Sequence, residues 1–421
     1  MTHHLQASDA AETESPGRPA MSALSLLRGP SGELVLAICG VIAATQMVWG
    51  VLVPILPAFA SSMGIDPMRI GLIVAGFGLG RIVANIPAGF LSRKVNRTVL
   101  FTGGALGVVV FSALCGVVSS FEWLLALRVL TGVAGGITIT CGQTLLADAM
   151  PGSSLARAMS LLQGLQLAGG AIGPAVGAFA AALFGIRAPF FVSGFVALAF
   201  VCWILFRRRL RASMSSVSTA SVAPPAALER RGLSFVAACF VGFAVFFARF
   251  GIQQTLLPLI AFEEVGFSVT ALGLIFTGMA VLNIVCVIFL GGLADRVGRK
   301  RVIVWTLLAT GLVTAAFALP MEPWLFILLA VLFGLATSIG GPVPAAYVAE
   351  VVPGRRRGPA IGVYRTFGDL AGIVGPIVIG FAIGWLGFLA AILVSAAVSL
   401  VVAVVFAILA HEPRGANRSE A

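Results

Sequence analysis

Residues 291–300 read GGLADRVGRK, and residues 89–98 read GFLSRKVNRT. Laid over each other at an offset of 202, the two stretches share the leading glycine, the leucine at the third position and the arginine at the ninth. They differ in charge where one has Asp295 and the other Arg93. The same offset holds elsewhere. IGLIVAG (70–76) lies over LGLIFTG (272–278), ADAMPG (147–152) over AEVVPG (349–354), and GGAIGPAVGAF (169–179) over AGIVGPIVIGF (371–381). Asp148 therefore matches Glu350, and Gly173-Pro174 matches Gly375-Pro376. A constant offset through separated segments reads as one unit written twice.

Of the 421 residues, 59% are hydrophobic and 10% charged, with a mean hydropathy of +1.07. A soluble domain carries roughly 25% charged residues, so this chain cannot cover a water-facing surface and reads as a membrane protein. Crossing a ~30 Å hydrocarbon core takes about 20 apolar residues. Twelve windows qualify: 34–59, 69–91, 98–120, 122–149, 155–184, 188–206, 233–262, 270–294, 301–319, 323–350, 358–386 and 387–410. An all-α polytopic fold follows, with two pseudo-symmetric bundles of six helices at 33–206 and 233–410. A polar tail (1–32), a Ser/Ala/Pro-rich linker (207–232) and a short C-terminal tail (411–421) complete the chain.

The formal charge of +11 is placed unevenly. With the N-terminus inside, inner loops, tails and linker hold 21 of the 27 Lys and Arg, and outer loops hold only Arg69 and Arg187. That asymmetry predicts cytoplasmic termini in a plasma-membrane protein. The runs RRRLR (207–211), RVGRKR (296–301) and RRR (355–357) flank apolar spans, so they set topology and no nucleic-acid partner is expected. The first 32 residues have no apolar h-region and are no cleavable signal. All six cysteines fall inside spans without a CxxC pair, which predicts buried, reduced thiols.

These motifs resemble those of the major facilitator superfamily. GGLADRVGRK is a full match to its loop signature, here between spans 8 and 9, and GFLSRKVNRT is a degraded first-half copy between spans 2 and 3. RVLTGVAGG (128–136) in span 4 resembles the signature whose arginine, here Arg128, is tied to proton coupling. GGAIGPAVG (169–177) in span 5 resembles the Gly-Pro signature of drug–proton antiporters, with Gly169, Gly173, Pro174 and Gly177 as its stripe. Spacing four gives that stripe a smooth face for close helix approach. The resemblance implies alternating access by two rocking bundles around a midplane site.

Ionisable groups inside a bilayer are costly and mark function by default. Arg81 in span 2 and Asp369 in span 11 lie about eleven or twelve residues from their span starts, ~17 Å deep at 1.5 Å per residue. Arg365 shares a helical face with Asp369 at spacing four. The two residues form either a static ion pair or, with Arg128, the proton-coupling group. Arg81 and Arg249 are read as cavity residues, with Gln46, Trp49, Asn85, Gln143, Gln163, Gln166, Gln253, Gln254 and Asn283 as polar or aromatic wall. All three histidines lie in the tails, and Asp369 is the only acid deep in a span. Neither a Ser-His-Asp site, an HExxH metal site nor a carboxylate dyad can form there, so no enzyme, metal or cofactor is expected.

The expected function is proton-coupled efflux, by antiport, of a small amphipathic drug or metabolite, neutral or anionic, by a monomer. The alternative is proton-coupled import of an organic anion, since four arginines against one aspartate make the cavity cationic. By the resemblance the loops latch the cytoplasmic side. Asp295, with Arg296 beside it, meets the start of span 5, Arg299 pairs with Glu350, and Arg97 pairs with Asp148. Arg93 instead faces the start of span 11, with its Arg355, Arg356 and Arg357, a repulsion of about 1 kcal/mol at a wet surface. An anionic lipid headgroup could bridge that cluster. One strong and one weak latch bias the protein toward the inward-open state. Arg93→Asp should therefore reduce labelling of cysteines placed on the cytoplasmic cavity wall. Unchanged labelling, in detergent and in anionic bilayers alike, would remove the charge reversal from gating.

Overall fold

A computed structural model describes residues 32–150, 152–207, 232–290, 293–338, 342–352 and 357–412. The expected N-terminal tail, nearly all of the linker, Arg355, Arg356 and the first two residues of GGLADRVGRK lie outside these. The first half contains α1 (Gly32–Ser62), α2 (Pro67–Lys94), α3 (Arg97–Val117), α4 (Phe121–Ala149), α5 (Gly152–Phe184) and α6 (Ala188–Phe206). The second contains α7 (Leu233–Glu264), α8 (Val269–Leu290), α9 (Arg299–Ala316) and α10 (Pro323–Val351, of which 339–341 lie outside the described residues). The helical stretch Arg357–Leu409 breaks at Gly387, giving α11 before that residue and α12 after it.

Ten helices among the described residues are long and apolar enough to cross a bilayer. One of them, Ala360–Leu409, contains two crossings, and α9, whose first turn carries Arg299, Lys300 and Arg301, supplies one more. The chain is thus a polytopic all-α membrane protein with the expected twelve spans.

The turns show the duplication at atomic level. On the side away from the linker, Gly64 (φ 67) ends α1 and Gly266 (φ 76) ends α7, while Gly185 (φ 91) and Gly387 (φ 84) separate α5 from α6 and α11 from α12. Each pair lies 202 residues apart, and each position uses the left-handed backbone that glycine adopts without penalty. On the linker side the two loops diverge. In the first, Asn96 caps α3, its side chain accepting from Thr98 N at 2.8 Å. In the second, the equivalent residue is Gly298 at φ 105, which brings no side chain. The equivalent amide, Lys300 N, donates instead to Glu412 Oε1 at 3.3 Å, more than a hundred residues along the chain. Tyr347 Oη donates to the neighbouring His411 carbonyl at 2.7 Å, and His411 N donates to Ser234 Oγ at 3.2 Å. Residues 411–412, expected as a free tail, thus tie together the linker-side ends of α7, α9, α10 and α12.

The core is single on one side and double on the other. Away from the linker, one hydrophobic cluster joins residues of both halves, from Val51, Phe59 and Ile73 to Ile252, Leu256, Phe276 and Ile379. On the linker side, Ile38, Phe101, Leu145 and Leu162 belong to one cluster, and Phe235, Val302, Tyr347 and Tyr364 to another. The halves meet through α2 against α11 and α5 against α8. Both seams are close: a Cβ on Gly380 would sit 2.7 Å from Met68 O and one on Gly78 3.0 Å from Gly372 O, while one on Gly273 would clash with Ala178 Cβ and sit 2.9 Å from Pro174 O. The stripe on α5 turns its other side to α1, where a Cβ on Gly173 would lie 2.8 Å from the Gly50 main chain. Of the six cysteines, Cys39, Cys115, Cys141, Cys239 and Cys286 are buried, Cys202 is half-buried, and all are free thiols.

Gly273→Leu should force α5 and α8 apart, since overpacking a tight contact costs about 1–3 kcal/mol. Disulfide crosslinking between cysteines placed at the far-side ends of these two helices should fall several-fold relative to the parent. Crosslinking that is unchanged would show that the seam yields without opening.

Candidate functional site

The seam between the halves leads directly to charge. Arg81 of α2 and Asp369 of α11 face each other across it, Nη2 to Oδ1 at 3.7 Å, each side chain about a quarter exposed. They line a cleft of about 250 Å³ with Trp49, Phe77, Gly78, Phe250 and Gly372. The glycines at 78 and 372 set the two helices close enough for the pair to form, and the aromatic rings form the opposing wall. Trp49 lies 4.2 Å from Phe77 and 5.8 Å from Phe250, centroid to centroid. At 3.7 Å and part-hydrated, this pair contributes on the order of 1 kcal/mol. It is loose enough to be exchanged for a ligand.

Arg365 does not take the place that its spacing suggested. Its side chain is exposed, and among the described residues the ion pair of Asp369 within 4 Å is with Arg81. The static Arg365–Asp369 pair is therefore corrected to a pair between halves. Spacing four brings two side chains to one face but does not hold them there when an opposing cation and open water compete. Arg365 remains near enough to act on Asp369 through space. Arg249 is solvent-accessible yet surrounded by protein, and it feels the charge of Arg81, as a side chain inside an open cavity does. Two arginines, Arg81 and Arg365, thus act on Asp369, and Arg249 stands near Arg81.

Arg249 sits on an unusual coil. Ala248–Leu256 and Ile260–Glu264 of α7 are π-helical, with Leu257 N donating to Ile252 O and Thr255 Oγ1 to Phe250 O at 3.0 Å. Pro258 has no amide to donate, and its ring presses on the carbonyl four residues back, so a wider coil relieves the clash. The coil carries Arg249, Phe250, Gln253 and Gln254. Sequence periodicity at 3.6 could not show it, although Pro258 was its signal.

Arg128 of α4 is 2% exposed. Its guanidinium lies over Trp49 at 5.4 Å and over Phe77 at 5.1 Å, each face worth about 0.5–2 kcal/mol. Trp49, for which packing alone would have sufficed, therefore contacts Arg128 and also lines the Arg81–Asp369 cleft. Of the remaining cavity candidates, Gln46, Gln143, Gln166, Gln253 and Asn283 are half-buried and Gln163 is exposed. Gln166 Nε2 and Gln254 Oε1 are buried without a hydrogen-bond partner. The Asn85 side chain lies outside the described residues.

At the linker side, Arg97 pairs with Asp148, and Arg299 Nη2 meets Glu350 Oε1 at 2.9 Å. Each pair joins the loop to the helix end of its own half. Arg296 is exposed, and the side chains of Arg93 and Asp295 lie outside the described residues, so their contacts to α11 and α5 stay expectations.

The family described as "Major Facilitator Superfamily" matches residues 38–253 and 238–421. The Quinolone resistance protein NorA of Staphylococcus aureus (strain COL) is 23% identical over 338 residues, covering 79% of this chain and 85% of that protein. Multidrug resistance protein 2 of Bacillus subtilis (strain 168) is 25% identical over 337 residues, covering 78% and 83%. Among solved structures, a bacterial homologue of the human lysosomal transporter Spinster, inward-facing and occupied, gives a TM-score of 0.75 at 16% identity, covering 89% of this chain and 95% of that one. The nucleoside transporter NupG gives 0.72 at 16%, covering 89% and 98%.

Coupling across the seam can be read by a double-mutant cycle. Arg81→Gln and Asp369→Asn should each lower the unfolding temperature in detergent, because each leaves a charge unpaired. The double variant should recover about 1 kcal/mol of the summed loss. Strict additivity would show that the pair carries no interaction energy.

Proposed function

The chain belongs to the major facilitator superfamily, and from that premise we propose that it exports a small amphipathic compound, neutral or anionic, across the plasma membrane in exchange for protons. It is a multi-pass transporter and not an enzyme. The observation that carries the proposal is the Arg81–Asp369 pair, which bridges the two halves inside the cleft. A proton on Asp369 removes the pair and with it one contact between α2 and α11. A substrate whose hydroxyl or amide donates to the Asp369 carboxylate binds only the deprotonated form. Proton and substrate then compete, which is the requirement for antiport. The aromatic wall of Trp49, Phe77 and Phe250 receives the apolar body of the compound. The names of the staphylococcal and bacillar relatives support an efflux role.

Cytoplasmic termini, from the cation asymmetry, make the linker face the inner face. The far-side core shared by both halves and the separate linker-side cores then correspond to an inward-open state. Asp369 is the proton site in this reading, and the loop pairs Arg97–Asp148 and Arg299–Glu350 brace the helix ends that a cytoplasmic latch would engage.

A second reading rests on the arginines. An anion that binds Arg81, Arg249 and Arg365 releases Asp369 from its partner and makes protonation easier, so proton and anion travel together. That is symport. The sign of the coupling separates the two readings. In proteoliposomes with an acid interior, antiport should accumulate a labelled neutral or anionic compound inside, whereas symport should accumulate it only when the interior is alkaline. Asp369→Asn should reduce gradient-driven accumulation to that of empty vesicles while binding of the compound stays within about threefold. Full accumulation by the variant would remove Asp369 from the coupling.

A further inference from the structure

Trp49 also lines a second, smaller cavity with about 10 Å³ of space. Its walls are Trp49, four aliphatic side chains of α1 and α2, Arg128 and Gln254. Arg128 is 2% exposed, and its Nε has no hydrogen-bond partner. Among the described residues its guanidinium makes no ion pair. The titratable group that acts on it is the Cys115 thiol of α3, not a carboxylate. Gln254 Oε1, on the π-helical coil of α7, is likewise buried and unsatisfied. Two unsatisfied polar groups, one of them a permanent cation, thus line one apolar cavity.

A guanidinium cannot shed its proton to escape such a site. Two aromatic faces attract it but do not neutralise it, and buried charges are held by partners. The partner that fits is set by the walls. One positive charge among apolar side chains accommodates one negative charge, whereas a divalent anion would leave a buried excess. The space is that of about one water-sized ion, or of a carboxylate group reaching in, and far below a drug-sized site. The Gln254 amide can offer its NH₂ instead of its oxygen by a half-turn of the terminal torsion.

We propose that this cavity is an anion site in which Arg128 and the Gln254 amide bind one small monovalent anion, either a carboxylate group or a halide. On α2 its wall residue Val74 stands seven positions from Arg81, about 10 Å along the helix. The site is therefore distinct from the Arg81–Asp369 cleft, with Trp49 forming a wall of both. The inference does not depend on the direction or coupling of transport.

The test is thermal unfolding of the purified full-length protein in detergent, with sodium sulfate as the reference salt at constant ionic strength. Sulfate stabilises proteins generally, so a stabilisation by chloride or benzoate above it signals specific binding. Wild-type protein should show a saturable rise of several degrees with one or both anions, half-complete at millimolar concentration. Chloride alone would identify the inorganic source and benzoate alone the carboxylate of an organic compound. Gln254→Leu, and Val53→Phe, which fills the cavity while sparing both polar groups, should each raise the half-effect concentration at least tenfold. Arg128→Met should abolish the effect, and if it does not fold, the other two variants decide. No rise in the wild type overturns the proposal. So does a rise that both variants retain at the same concentration, because that anion would be bound at the Arg81 cleft.

Discussion

Two helix bundles in a bilayer gain little by hiding apolar surface from each other, because lipid tails are as apolar as leucine. What joins the halves here is close approach of main chain to main chain. α2 lies against α11 where Gly71, Gly78 and Gly380 leave no side chain between them, and α5 meets α8 at Gly273. The larger shared cluster around Phe59, Ile252, Leu256 and Phe276 forms around these contacts. Because the seam occupies only the side away from the linker, the linker side is left with two separate cores and a cleft between them. The cleft is thus a consequence of where the glycines are.

The same seam determines the partners of the charges. Arg81 and Asp369 are on different halves, and they meet because Gly78 and Gly372 bring their helices together. A pair at 3.7 Å with a quarter of each side chain exposed is neither a buried structural bridge nor a free surface pair. It can be broken by a proton or a ligand, and breaking it weakens the contact between halves. Arg128 is held in a different way, by π faces and a cavity. Trp49 lines both that cavity and the Arg81–Asp369 cleft.

Much of this was legible in the sequence because it is written along the chain. The 202-residue offset located the loops and the Gly-Pro segments, and hydropathy gave the spans. The break between the last two spans was uncertain from hydropathy alone, since both windows are apolar throughout; the match of Gly185 to Gly387 would have fixed it. The contacts of Arg97 with Asp148 and of Arg299 with Glu350 were expected from the resemblance of the loops to the superfamily's signature. What could not be read was any contact set by helix rotation between halves. Arg81 and Asp369 lie on different halves of the chain, and the i, i+4 neighbour Arg365 was the only partner that a single helix could suggest. The cluster of Arg128 with Trp49 and Phe77 is hidden for the same reason. The π-helical coil of α7 defeats periodicity by changing the period itself.

The capping of the second loop bears on how the protein is made. In the first half, the start of α3 is satisfied by Asn96, two residues from the amide it binds, so that bundle can finish its linker-side turn as soon as it enters the membrane. In the second half, the same amide waits for Glu412, and the ends of α7 and α10 wait for His411. During synthesis from the N-terminus, the second bundle must therefore stand with an open helix start until the segment after α12 has emerged. The first half is ready as a template before the second is complete. A lesion in residues 411–412 would be felt as slow maturation and proteolytic loss of the second half rather than as a change in what the protein carries.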